Sequence, residues 1–150
     1  MVPKVTLAKH FKTCYHRTMN TIDLEQFEKA IISLHKILER YEREKEDIDI
    51  RDAVIKRFEY TYSTAVRIIM RYLSYTSPES DDILSFNEAI RRANQAGILL
   101  TNLEKWSEFR KNRNITSHLY DEEAIESIIN IIPEFIKDVD FLLMELKKRL

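Results

Sequence analysis

From Asp49 to Leu73 the chain sets Val54, Phe58, Tyr62, Ala65, Ile69 and Leu73 three or four residues apart, with no glycine or proline in the run. That stripe covers one face of an α-helix but would scatter over both faces of a strand, so the longest amphipathic element must be helical. The helix is expected to start near Asp49 and to end before Ser77-Pro78, because a proline pushes the residue ahead of it out of the helical region. Shorter stripes with the same period flank it.

Asp23 with Gln26 three residues on has the pattern of a helix start, followed by Phe27, Ala30, Ile31, Leu34, Ile37, Leu38 and Tyr41 on one face. Ser85 with Glu88 repeats the pattern for a short helix carrying Ala89, Ile90, Ala93 and Ala96 and closed by Gly97. Thr101 with Glu104 repeats it again, ahead of a helix that turns Leu103, Trp106 and Phe109 or Arg110 inward. Asp121, Glu122 and Glu123 give the last helix a negative first turn. Its stripe is Ile125, Ile128, Ile132, Phe135, Ile136, Val139, Leu142, Leu143 and Leu146, and Pro133 is expected to kink it. One glycine and three prolines in 150 residues are too few for the turns of a β architecture. The expectation is therefore all-α: an antiparallel, up-and-down four-helix bundle with an additional short helix.

A chain of this length, 44% hydrophobic, has material for one core. Residues 21–150 are read as the bundle domain and 1–20 as a basic N-terminal extension, since Lys4, Lys9, Lys12 and Arg17 stand there without an acidic residue. Tyr62, Val66, Tyr72 and Tyr75 exceed what one stripe needs and point to a homodimer. The lone Cys14 excludes an internal disulfide and fits a reducing cytosol; with no apolar run of membrane-spanning length and no signal-peptide core, a soluble cytoplasmic protein is expected. A net charge of -1 restricts any phosphate-binding surface to a local patch. His10, Cys14 and His16 are too few for a complete metal site, and no carboxylates cluster at ligand spacing, so neither metal nor cofactor is expected. His35, at the edge of its stripe, is expected to be hydrogen-bonded rather than a ligand.

The stretch with chemistry in it is Lys111 to Asp121, KNRNITSHLYD. Arg113 offers a planar fork of donors for phosphate, His118 a group that moves a proton near neutral pH, and Tyr120 a hydroxyl. Five residues turn about 140° around an ideal helix, so Arg113 and His118 share a pocket only where a helix ends between them. Asn114, Thr116 and Ser117 are poor helix formers and permit that end. The N-terminus of the last helix, beside the motif, would favour an anion. Arg67 and Arg71, four apart on the long helix, and Ser117 are candidate substrate contacts. The bland alternative is a surface arginine, a turn histidine and an anchoring tyrosine.

Three stretches together, RFEYTYSTAVRIIMRYL (57–73), EAIRRANQAGIL (88–99) and Trp106 with RNITSHLYDEE (113–123), resemble the HEPN superfamily, in its branch of nucleotidyltransferase substrate-binding proteins. The resemblance implies a homodimeric helical bundle with its Arg-x4-His pairs facing a cleft near the dimer interface. In active members that motif is a metal-independent ribonuclease site, which maps here onto Arg113, Asn114 and His118. Related toxins of toxin-antitoxin pairs extend the motif to a tyrosine that a small partner nucleotidyltransferase modifies with AMP, and Tyr120 holds that place. The branch also implies an alternative, a non-catalytic subunit that presents RNA or a nucleotide to a separate nucleotidyltransferase. A helical scaffold without chemistry is the third reading.

Overall fold

The computed structural model describes residues 5–77 and 84–150, with side chains from residue 24 onward. Those residues form five helices and no strand: α1 (Val5–Arg43), α2 (Ile48–Thr76), α3 (Phe86–Gln95), α4 (Leu103–Asn114) and α5 (Glu122–Arg149). The amphipathic stripes explain why they pack. Phe27, Leu34, Val54, Phe58, Ile69, Ile128, Ile132 and Val139 are fully buried, and each such side chain contributes roughly 1.5–3 kcal/mol by leaving water.

α1 and α2 run antiparallel, since Arg57 donates to the Ser33 carbonyl and Thr61, one turn on, to that of Ala30, one turn back. α5 returns along α1, pinned by Lys147 to Glu28 at one end and by His35 to Asp140 at 2.9 Å near the middle. His35 is thus hydrogen-bonded, as its position at the stripe's edge implied. Where α2, α4 and α5 meet, Phe135 takes Phe58, Phe109 and Trp106 edge-on at 5.0, 5.3 and 6.3 Å.

Helix ends follow local chemistry. Asp47 caps α2 through the Ile50 N–H, and Ser85 caps α3 through that of Glu88. Gly97, at φ +76°, makes the left-handed turn after α3 that a side chain would strain.

Three expectations are corrected. α1 does not start at Asp23: with neither glycine nor proline between residues 5 and 43, the helix continues back to Val5. The side chains of that stretch, those of His10, Cys14 and His16 included, lie outside the described residues. The cap of α4 is Asn102, which accepts from the Lys105 N–H, because Thr101 is engaged by a buried carboxyl group. α5 continues past Pro133, which lies inside the helix and removes one of its hydrogen bonds. Tyr62 lies in the core against Phe58 and Trp106 and is no spare surface for a dimer, whereas Tyr75 is exposed.

That buried carboxyl is Asp138, in a position of α5 that the helical period reserves for the core. It accepts from the N–H groups of Leu100 and Thr101, from the Thr101 hydroxyl and from the Trp106 indole, tying the α3–α4 connection to α5. Burial pushes its pKa above the ordinary carboxylate value, against these hydrogen bonds.

Candidate functional site at the end of α4

α4 ends at Asn114, between Arg113 and His118, as a shared site requires. The chain then tightens: Ile115 N–H donates to Asn112, Thr116 to Arg113, His118 to Ile115 and Asp121 to His118, each three residues back. These short turns replace the helix that would have sent the two side chains to opposite faces. Two buried side chains fix the segment. Asn112 donates to the Glu108 carbonyl and accepts from Ser127 of α5 at 2.8 Å. The buried Thr116 hydroxyl donates to the Arg113 carbonyl at 2.8 Å and stands 3.1 Å from a Glu59 carboxylate oxygen on α2.

Glu59 also faces Arg113, at 3.9 Å from its guanidinium, and Lys56 at 3.6 Å. At 3.9 Å the pair orients Arg113 without occupying its whole fork of donors. One turn back on α4, Arg110 is exposed and lies over the Phe86 ring, 4.5 Å from its centre, whereas the adjacent Phe109 is buried. Burial raises the Tyr62 hydroxyl to about 12, while the charges of Arg110 and Arg113 pull it down.

Arg113 is half-buried, Asn114, Ser117 and His118 are exposed, and Tyr120 projects fully into solvent. Among the described residues no hydrogen bond fixes the His118 ring. Arg67 is exposed and Arg71 half-buried on α2, about 12 and 18 Å along the helix from Glu59 at 1.5 Å per residue. They sit on the helix that touches the motif but well beyond the point of contact. The N-terminus of α5 is not an open anion site: the Asp121 carboxylate already accepts from the Glu123 and Ala124 N–H groups, and Glu122 and Glu123 add negative charge. Sequence reading missed Glu59, for which the apolar period carries no signal. It missed Asn112 too, which looked like any polar helix residue.

No helix among the described residues is long and apolar enough to cross a membrane, and no cluster of His, Cys, Asp and Glu among them could hold a metal ion.

A bundle with this ordered Arg-to-Tyr segment between two core helices falls in a known class: residues 22–148 match the family described as nucleotidyltransferase substrate binding protein like, and the chain belongs to it. A Haemophilus influenzae protein named probable ribonuclease HepT is 34% identical over 97 residues, covering 63% of this chain. The match spans 66% of that relative's own length. Among solved structures, one from Haemophilus influenzae is described as revealing the fold of a substrate binding domain of a nucleotidyltransferase. It superposes with a TM-score of 0.76 at 28% identity, over 83% of this chain and 98% of that one. A protein from Thermus thermophilus superposes with a TM-score of 0.64 at 26% identity, over 80% of this chain and 98% of its own.

Proposed function

We propose that this protein is a HEPN-type ribonuclease, the toxin of a toxin-antitoxin pair, which cleaves RNA without a metal and is restrained by a small partner nucleotidyltransferase. The observation that carries the reading is the helix end between Arg113 and His118, anchored by Thr116 and Asn112 to α2 and α5, in a chain similar to a protein named as a ribonuclease. In the reaction the 2′-hydroxyl attacks phosphorus, the bond to the 5′-oxygen breaks, and a cyclic phosphate and a free 5′-hydroxyl result. One proton leaves the 2′-oxygen and one reaches the 5′-oxygen; His118 serves in these transfers, and Arg113 stabilises the charge growing on the non-bridging oxygens. Asn114, directly after the arginine, and Ser117 add polar contacts. Arg67 and Arg71 extend the basic track for bound RNA.

The architecture proposed is a homodimer of up-and-down four-helix bundles built on α1, α2, α4 and α5, with α3 as the additional short helix and residues 1–20 as an extension of the 21–150 domain. Exposure of His118 and Tyr120 supports a site completed by a second copy. Full exposure of Tyr120 also supports its modification with AMP, whose negative charge beside Arg113 would compete with RNA phosphate. A cytoplasmic location goes with these partners.

The second reading, a substrate-binding subunit without chemistry, is favoured by the family's description and by that of the superposed Haemophilus structure. Incubating the purified, unmodified dimer with RNA in the presence of chelator separates the two: cleavage supports the ribonuclease, and intact RNA transfers the role to the substrate-binding subunit.

A further inference from the structure

Arg110 plays no part in the motif, yet its placement is unusual for a surface arginine. It is exposed, and among the described residues no carboxylate pairs with it. Its guanidinium carbon nevertheless lies over the Phe86 ring at the start of α3, 4.5 Å from the ring centre and within cation–π range. It precedes Arg113 by three residues on α4, a spacing that sets Cβ atoms about 5–6 Å apart on one helix surface. Both charges act on the same Tyr62 hydroxyl. Free arginines lose much rotamer entropy when they grip a ligand; one stacked in advance loses less.

We propose that Arg110, stacked on Phe86, is a second phosphate-binding subsite that holds the RNA phosphodiester next to the one on Arg113. The inference rests on the ribonuclease reading for its substrate and assigns Arg110 to binding, with no role in proton transfer. RNA longer than a dinucleotide is then preferred over a dinucleotide, because a dinucleotide has one phosphodiester and cannot fill both subsites. Phe86 is the positioning residue: its ring fixes the guanidinium and touches no substrate.

The test uses the full chain, a fluorescein-labelled single-stranded RNA, and the same RNA with one phosphodiester at a time replaced by a neutral methylphosphonate. For Arg110→Gln, KM is expected to rise about tenfold with a much smaller fall in kcat, and the dependence of log affinity on log salt to flatten by about 0.7, the value of one single-strand phosphate contact. Arg110→Lys keeps the charge and therefore the salt slope, but binds more weakly than wild type. Phe86→Leu keeps the arginine and weakens binding less than Arg110→Gln does. In wild type, one neutral linkage beside the cleaved bond weakens binding; in Arg110→Gln that same replacement adds no further loss, because the partner is already gone. An unchanged KM and salt slope in Arg110→Gln, or a neutral-linkage penalty that persists in it, overturns the subsite. So does an effect confined to a competing nucleoside triphosphate, with RNA binding intact. If wild type binds RNA but cuts none, the ribonuclease reading fails by itself, and the salt slope still decides for or against Arg110.

Discussion

Removing the Asp138 carboxyl group tests the packing that holds α4, and with it the site, in place. Four donors converge on its two oxygens: Leu100 N–H on one, and Thr101 N–H, the Thr101 hydroxyl and the Trp106 indole on the other. Asp138→Ala strands all four; with about 1–3 kcal/mol for each buried donor left unpaired and partial relief by water at the backbone groups, the expected loss is roughly 3–5 kcal/mol. Asp138→Asn keeps the shape and one acceptor. Placed toward Trp106 and Thr101, its amide oxygen satisfies three donors while the NH2 group meets the Leu100 N–H, so about 1–3 kcal/mol is lost. Urea unfolding followed by circular dichroism measures both, and the midpoints should fall with little change in slope. The pH dependence has a definite sign. A carboxyl group whose pKa is raised by folding, from a reference of 3.8, favours the folded state fully below that reference and loses the contribution as pH climbs through the folded value. Wild-type stability measured against Asp138→Asn should therefore decline upward from about pH 4. A loss under about 0.5 kcal/mol for Asp138→Ala would refute the four-donor account.

Other outcomes follow from the site. Glu59→Ala leaves the Thr116 hydroxyl and Arg113 without their partner on α2 and should lower RNA cleavage about tenfold, with Glu59→Gln recovering part of it through the retained acceptor at Thr116; equal losses in the two variants would put the effect on charge alone. Co-expression with the cognate nucleotidyltransferase should add the mass of AMP at Tyr120, and intact-mass spectra without an adduct, given an active partner and nucleotide, would remove that regulation. Light scattering at micromolar concentration should give the mass of two chains; a mass near the 18.0 kDa of one chain would contradict the dimer.

Much of the fold is legible in the stripes because a helix buries residues three and four apart, and Phe27, Val54, Phe58, Ile69, Ile128 and Leu142 are buried where that period puts them. The same rule is blind to Asp138: a charged residue at a core position breaks the pattern, and only the folded chain shows the four donors that justify it. The caps divide similarly. Ser85 acts on its own helix, while Thr101, with equal capping credentials, is drawn to Asp138 and yields to Asn102. The motif's helix end could be anticipated from Asn114, Thr116 and Ser117, since their side chains compete for backbone hydrogen bonds. Glu59, more than fifty residues earlier in sequence, could not, because contact across the bundle leaves no local trace. The anion site foreseen at α5 fails for a local reason: Asp121 caps the N–H groups that a phosphate would have used.

The most direct test of the central claim is RNA cleavage by His118→Ala beside wild type, with chelator present in both. His118 is exposed and its ring carries no structural hydrogen bond among the described residues, so the variant should fold, melt and assemble as wild type does. Its cleavage rate should fall by about two to four orders of magnitude, the range for loss of a general acid-base group. Arg113→Ala should match it and Arg113→Lys should recover little, because an ammonium lacks the planar fork. A folded His118→Ala that cuts RNA at the wild-type rate would contradict the account.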